Sequence, residues 1–562
     1  MKLVFLFSVI SVLSLLLPGL PPTHDGEYHI IRFYEFDKTL KGGDWYPRWA
    51  PDLNYGYGVP LFNYVYPMPN YVAFILHLFG ISFIDAFKLN MFFATIVGSI
   101  FFYLWAKQFW GKMGGVVSSV FYTFSPYHFV EIYIRGSVGE VWALAFFPAF
   151  LWSITRYIQN KQKIFFILSS LFLSLIIFAH TILALMFFFF ALSYVAFLII
   201  QAKNKKYLIL NTLYIILFGL GLSAIFWLPA IIESNLVKGL EIFDVTKHFP
   251  DIHELLIPSW GSGFSGGDSQ DHLSFQIGLA NLLAFALSFI ALLFCFRKNK
   301  KIFSVILFFQ ILFIIIFLLM LRISYPLWKT IPLMNYFQFP WRLLSLETLV
   351  VSFLSGSVIF AIKSYFLNKS KAVGVVAAAC LISLSFMLGI GYASPAHYLY
   401  RDDNYYITRS NFIDGTNSPG DVFNTIWFNQ NLKKQNVKIV IDKGKLESSV
   451  IKPTNHKHFV SIISESKVIV NIAYFPNWIV FIDGKKITTR QDADGLISFF
   501  AHKGRHLIEV KFKDTPIRTL ANFVFFLSLF SIVFYSMQWY NNFNIKRTIF
   551  NIARLFKNYG KN

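Results

Sequence analysis

The sequence predicts an α-helical membrane protein crossed by about twelve helices, with one β-rich domain outside the membrane near its C-terminus. Three observations predict it. The 562 residues are 56% hydrophobic and only 14% charged, where soluble domains carry about a quarter charged residues. Apolar runs of about 20 residues recur from end to end, each long enough to cross about 30 Å of hydrocarbon. The short Lys/Arg clusters between the runs fall on one side of the membrane when each run is counted as a span.

The runs lie near 3–20, 88–106, 114–127, 138–155, 164–180, 182–200, 207–229, 274–296, 302–321, 343–362, 372–391 and 518–539. The first follows Lys2 and ends Pro18-Gly19-Leu20-Pro21-Pro22. It has no small-x-small cleavage site, so an uncleaved span is expected. Starting inside, this series puts Lys107/Lys112, Arg156/Lys161/Lys163, Lys203/Lys205/Lys206, Arg297/Lys298/Lys300/Lys301 and Lys363/Lys369/Lys371 in the cytoplasm. The tail with Lys546, Arg547, Arg554 and Lys557 joins them. The net charge of +21 therefore reads as membrane topology and not as a nucleic-acid surface. The stretch Tyr71 to Phe79 is too short to span, and counting it would invert every later loop; a juxtamembrane helix is expected there. Cys295 and Cys380 lie within apolar segments, where neither a disulfide nor a metal site is expected.

Residues 21–87, 128–137, 230–273, 322–342 and 392–517 are then external. In the last of these the pattern changes to short β-branched runs: Val437–Ile441, Phe459–Ile463, Val468–Ala473, Trp478–Ile482 and Leu507–Phe512. Asp483-Gly484 and Asp494-Gly495 are hairpin-turn signals, and the region reads as a small β-sandwich. The chain thus divides into a transmembrane module (1–391, with its first external loop at 21–87), the β-domain (392–517), and a last span with a basic tail (518–562).

Polar residues able to do chemistry gather in the external loops. Asp25, His29 and Arg32 share one face of a helix starting near Thr23 or Asp25, at i, i+4 and i+7. Trp45-Tyr46-Pro47-Arg48-Trp49 follows in the same loop. A carboxylate, an imidazole, guanidinium groups and aromatic faces suit a polar lipid headgroup, since Arg forks onto phosphate and a carboxylate takes a proton. An interfacial helix with an acidic N-terminus and aromatic anchors would use the same residues. Between the third and fourth spans stand Glu131, Arg135, Gly136 and Glu140. Glu140 opens an apolar span, where an unpaired charge is costly, and Arg135 is its expected partner. His180 sits at the outer turn of a helical hairpin. Arg342, in Phe339-Pro340-Trp341-Arg342, sits at headgroup level as a phosphate ligand or a snorkelling anchor. Asp244, His248, Asp251, His253 and Glu254 precede a glycine-rich stretch, Gly261 to Gly267, without a metal-binding frame; a gate over the site is expected there.

These features together resemble the GT-C superfamily of membrane glycosyltransferases. More narrowly, the chain is similar to the bacterial YfhO-like and 6-pyruvoyl-tetrahydropterin-synthase-related membrane proteins. Asp25 with His29 and Arg32, the Trp45–Trp49 run, Arg135-Gly136 with Glu140, and the C-terminal Ala473-Tyr474-Phe475-Pro476-Asn477-Trp478 leading to Asp483-Gly484-Lys485 carry the resemblance. It implies transfer of a sugar from a polyprenyl-phosphate carrier to a glycan, polymer or lipid acceptor on the outer face of a bacterial plasma membrane. It implies Asp25 as the first-loop acid, read as catalytic base, with Glu140 or Glu131 as second acid. The residues read beside them as substrate ligands are His29, Arg32, Arg48, Arg135, Arg342 and His180, the last also readable as a satisfied helix-end histidine. The first-loop acidic pair is here Asp25-Gly26-Glu27, which leaves use of a divalent cation open; no other cofactor is implied. A transporter of lipid-linked sugars and a non-catalytic assembly factor are the rival readings.

Overall fold

The computed structural model describes residues 1–239, 244–266, 272–366, 371–408 and 422–559; Gly267 and Lys369 lie outside these. Among the described residues, nine helices are long and apolar enough to cross a membrane. Helices suit such runs because hydrocarbon offers the backbone no other hydrogen-bond partners.

In chain order the first helices are α1 (Lys2–Ser11), α2 (Gly26–Lys41), α3 (Met68–Leu78) and α4 (Phe83–Thr123). The first expected span is not one continuous helix. At Val12 the backbone turns to φ −125°, ψ 15°, and a single 3₁₀ turn, Leu13–Leu16, follows. Ser8 and Ser11 each donate 2.8 Å bonds to carbonyls three residues back, and Ser14 donates to the Ala393 carbonyl. Such serines compete with the helical ladder. The ten residues of α1 rise about 15 Å, half the hydrocarbon thickness. Helix α3 has 11 residues and is too short to span, as its sequence indicated. Helix α4 contains two legs that reverse at Gly111, φ 72° and ψ −177°. Ser119 on one leg donates to the Ser99 carbonyl on the other at 2.7 Å, and the Phe102 and Tyr122 rings stack at 4.2 Å. The expected spans 88–106 and 114–127 are these legs.

The bundle continues through α5 (Pro126–Phe129), α6 (Val138–Asn160), α7 (Lys163–Ala179), α8 (Thr181–Ile200), α9 (Lys205–Ile232) and the short α10 (Ile252–Leu256). Then come α11 (Leu279–Lys298), α12 (Lys300–Met320), the short α13 (Tyr325–Thr330), α14 (Leu344–Phe366) and α15 (Lys371–Gly389). Helices α6 and α14 are the most enclosed and carry the site at their N-terminal ends. Residues beyond α15 stay with the bundle: Leu399 bridges Leu20, and Asp403 at the head of α16 (Asp403–Ile407) accepts from Phe83 and Ile84 N–H at 2.7 and 3.1 Å, capping α4.

The β-domain follows as β1 (Ile439–Ile441), β2 (Gly444–Lys452), β3 (Asn455–Ile462), β4 (Ser466–Ala473), β5 (Trp478–Ile482), β6 (Lys485–Ile487), β7 (Arg490–Gln491), β8 (Leu496–Ala501) and β9 (Gly504–Phe512). Two antiparallel sheets, ordered β1-β4-β8-β7 and β2-β3-β9-β5-β6, share one apolar core. Asp483 and Gly484 both have positive φ, 48° and 81°, giving the two-residue turn that pairs Ile482 with Lys485. The first loop adds to this core: Trp49 packs edge-on to Trp478 at 5.3 Å, and the Tyr57 carbonyl accepts from Ala473 N–H at 2.8 Å.

The last helix, α17 (Pro516–Tyr559), returns beside α9 and α7. It is tied to α9 by a buried ion pair, Arg518 Nε to Glu233 Oε2 at 2.9 Å, with Thr515 and Asn63 also donating to Glu233. Removing Arg518 would strand a buried carboxylate. Arg518→Ala is expected to destabilise the protein by about 3–5 kcal/mol, read as a lowered Tm in lipid nanodiscs. The double change Arg518→Met with Glu233→Gln should recover most of the loss.

Candidate functional site

The site is built around one wide turn. After α5 the chain forms a π-helical stretch, Val130–Arg135, capped by Gly136 at φ 66°, ψ 27°. Such turns are rare and frequently lie at functional sites. Four residues apart on this turn, Arg135 Nη1 donates to both oxygens of Glu131, at 2.7 and 2.8 Å. The same nitrogen donates to Glu140 Oε1 at 2.7 Å. Gly136 admits no side chain, because a Cβ would stand 2.2 Å from Thr23 Oγ1. That close approach lets His24 and Asp25 N–H donate to the Ile134 and Arg135 carbonyls, both at 2.9 Å. Asp25 precedes α2 but makes no side-chain cap bond, so its carboxyl is not used as a helix cap.

Gly139 performs the same service one turn later. A Cβ there would meet the Tyr66 ring at 2.4 Å and the Ala179 carbonyl at 2.5 Å. The end of α7 and Tyr66 therefore reach Glu140: His180 Nε2 lies 3.8 Å from Glu140 Oε1 and its ring 5.0 Å from that of Tyr66. From the start of α14, Arg342 Nη2 lies 3.3 Å from Glu140 Oε1, while its Nη1 donates to the Phe337 carbonyl and Gln338 Oε1. Trp341 lies beside both guanidinium groups, 5.0 Å from Arg135 and 5.8 Å from Arg342. Phe339 stacks on it at 5.2 Å.

Two donor and acceptor sites remain open in this network. The hydrogen bonds of Arg135 among the described residues all come from Nη1, leaving Nη2 and Nε for another acceptor. Glu140 Oε2 is buried without a hydrogen-bond partner there. Burial raises the Asp25 carboxyl above the usual carboxylate range, against the pull of Arg135 and Arg32. Burial also raises Glu131, and it pushes the His29 imidazole well below its ordinary value, so His29 is neutral.

The structure thus gathers Asp25, Arg32, Glu131, Arg135, Glu140, His180 and Arg342 at one end of the bundle, with His29 beneath them against Phe33 and Phe87. Arg48 is not part of this group. It donates to Asn63 Oδ1 and the Ile225 carbonyl at 3.0 and 3.1 Å and faces Asp514, in the Glu233–Arg518 junction. Arg48, expected among the substrate ligands, sits in the structural tie between the first loop and α17. Of the residues from Asp244 to Glu254, His248 packs edge-on against Phe339 at 4.7 Å, while Asp244 bonds Thr246 and Asp251 and Glu254 form a capping box. Among the described residues no group of three or more His, Cys, Asp or Glu side chains is placed to hold a metal ion.

Sequence reasoning missed Tyr66, Trp341 and His24. Gly136 and Gly139, flanking the charged run, were the available signal for close approach. His24 donates from Nε2 to the Ser262 carbonyl at 2.7 Å and stacks on Phe264 at 4.2 Å, so the glycine-rich loop lies against the rim of the site. Glu347, inside α14, was also passed over; it is fully buried and neither oxygen has a hydrogen-bond partner among the described residues.

With this geometry in view, residues 62–391 match the family described as 6-pyruvoyl-tetrahydropterin synthase related domain, membrane protein. The chain belongs to that family. The match begins before α3, ends with the last turn after α15, and takes in Glu131, Arg135, Glu140, His180 and Arg342, but not Asp25. An uncharacterized protein of Lactococcus lactis subsp. cremoris (strain MG1363) is 23% identical over 239 residues, covering 39% of this chain and 38% of that protein. The chain therefore spans well under half the length of this curated relative.

Asp25 yields a pH test. Its native carboxyl keeps a proton to higher pH than the unfolded chain does, so its contribution to stability is full below about pH 3.9 and falls as pH rises. Asp25→Asn is expected to raise Tm at neutral pH, with the gain vanishing in acid. Its pH slope is limited to about 1.4 kcal/mol per pH unit. A Tm equal to or below wild type at neutral pH would contradict the assignment.

Proposed function

We propose that this chain is a membrane glycosyltransferase of GT-C type, moving a sugar from a polyprenyl-phosphate carrier to an envelope glycan, polymer or lipid acceptor. The carrying observation is the convergence of the Asp25 region with an Arg135 whose second edge is open, beside the unpartnered Glu140 oxygen. An acceptor hydroxyl gives its proton to Asp25 while its oxygen attacks the sugar C1. The bond from C1 to the phosphate oxygen breaks, the anomeric centre inverts, and the lipid phosphate leaves with the bonding electrons. Arg135 and Arg342 stabilise the negative charge that develops on that phosphate, and Arg32 adds a third cation nearby. Glu140 holds both guanidinium groups in register, and Glu131 completes the clamp on Arg135. Burial raises the Asp25 carboxyl, which makes it a stronger proton acceptor than an exposed aspartate.

In this reading, which the distribution of basic clusters supports, the site faces the outer side of a bacterial plasma membrane and an external β-domain guides the acceptor. A transporter of lipid-linked sugars is favoured by one observation, the buried acid Glu347 within a span. The gathering of the site's ionic groups at helix ends favours transfer.

Two changes test the reading in vesicles supplied with lipid-phosphate-linked sugars. Asp25→Asn should lower transfer by about 10²-fold or more at normal protein level. Arg135→Lys keeps the charge but loses the planar fork, and should weaken donor use markedly. Near-normal transfer in both variants would remove the mechanism. A reporter fused in the β-domain should read external; a cytoplasmic reading would overturn the topology.

A further inference from the structure

Helix α2 carries Asp25 at its head and, ten residues on, a second acid that the transfer mechanism does not use. Glu35 is fully buried on the side of α2 that meets the loop between Trp49 and Val59. Its Oε2 accepts from Asp52 N–H at 3.0 Å, and its Oε1 has no hydrogen-bond partner among the described residues. The loop it holds is the one that enters the β-domain: Trp49 and Tyr57 are both buried in the sandwich core, and Ala50 and Val59 pair across the loop's base. From the opposite side Lys438, just before β1, donates to the Gly56 carbonyl. The loop is therefore clamped between the helix that bears Asp25 and the first strand of the β-domain.

The charged and titratable groups facing Glu35 can be named. On α2 itself they are Tyr34 and Lys38; from the loop, Asp52; from the β-domain, Lys438. Lys38 is engaged with Asp52, and Tyr34 donates to Asp52 at 3.4 Å. The cation nearest in charge to this acid is thus already committed to the other one. A neutral Glu35 leaves the clamp intact, since a carboxylic acid tolerates burial. An ionised Glu35 would place a second carboxylate beside Asp52 with one oxygen unpaired in a dry site, which is costly.

We infer that Glu35 is a pH-sensitive latch between α2 and the β-domain, closed while its carboxyl is protonated and loosened when it ionises. Burial and the Asp52 charge raise Glu35 to about 8, against about 4.5 in the unfolded chain. The sign follows: the latch contributes fully below the unfolded value and is lost as pH rises through the native one. Loosening frees the Trp49–Val59 loop and with it the β-domain's hold on the catalytic helix. The inference is independent of the transfer reading, because its readout is local opening and not activity.

The test is amide hydrogen exchange of the full-length protein in nanodiscs, followed by mass spectrometry across the pH range 6 to 10. The measured quantity is protection in peptides covering 49–59, as the ratio of wild type to Glu35→Gln at each pH, which cancels the intrinsic pH dependence of exchange. The ratio should fall by up to about tenfold per pH unit in the acid half, where the native carboxyl keeps a proton that the opened chain has lost, and level off above about pH 8. A ratio independent of pH would overturn the latch. Asp52→Asn supplies a second measurement should Glu35→Gln fold poorly. Removing that neighbouring charge should make the fall level off at a lower pH than in wild type, and an unmoved end to the fall would also overturn the proposal.

Discussion

A carboxylate at the head of a membrane helix must be paired, and the arrangement around Glu140 is what that constraint produces. Its Oε1 draws Arg135 from the π-turn, Arg342 from the start of α14 and His180 from the junction of α7 and α8. Three chain segments far apart in sequence meet around one oxygen. Gly136 and Gly139 lie beside it because the chains approach too closely for a Cβ, and Trp341 gives both guanidinium groups an aromatic neighbour. The charge that would be a liability in hydrocarbon becomes the organiser of a polar site at the bundle's end.

A second buried ionic centre does for the loops what the first does for the helices. Glu233 collects Arg518, Thr515 and Asn63, and Asn63 in turn receives Arg48. The first loop, the end of α9 and the entry to α17 are joined there, while Trp49 and Tyr57 from the same loop are built into the sandwich core. The β-domain is thus coupled to the helix carrying Asp25, and Glu35 lies on the line of that coupling. This gives the β-domain a structural role beside the site.

The helical architecture was legible because spans of about 20 apolar residues and asymmetric basic loops are direct consequences of bilayer thickness and charge. Two expected spans are shorter helices: α7 has 17 residues, and α1 ended early because its serines bond locally, a competition that hydropathy does not register. Strands β3, β4, β5 and β9 showed their alternation. Strand β2 did not, since most of Gly444–Lys452 is exposed or half-exposed and carries no apolar face. In the site, acids and arginines near span ends stood out against an apolar background, and most of them converge. Arg48 looked equivalent in sequence because its neighbours are equally aromatic; only the tertiary course of α9 and α17 shows that its partners are Asn63 and Asp514. Tyr66 and His24 were hidden for the converse reason, being ordinary interfacial residues until Gly139 and the loop at Ser262 bring the chain against them.

The account's central claim is that the open edge of Arg135 receives a lipid phosphate while Glu140 keeps the guanidinium in place. An electron cryomicroscopy structure of the full-length protein in nanodiscs with a polyprenyl monophosphate tests it directly. The phosphate should lie within hydrogen-bond reach of Arg135 Nη2 or Nε, next to Arg342, with the Nη1 bonds to Glu131 and Glu140 kept and the Asp25 carboxyl facing the open side. A phosphate bound away from Arg135, or an Arg135 that abandons Glu140 to reach it, would contradict the claim.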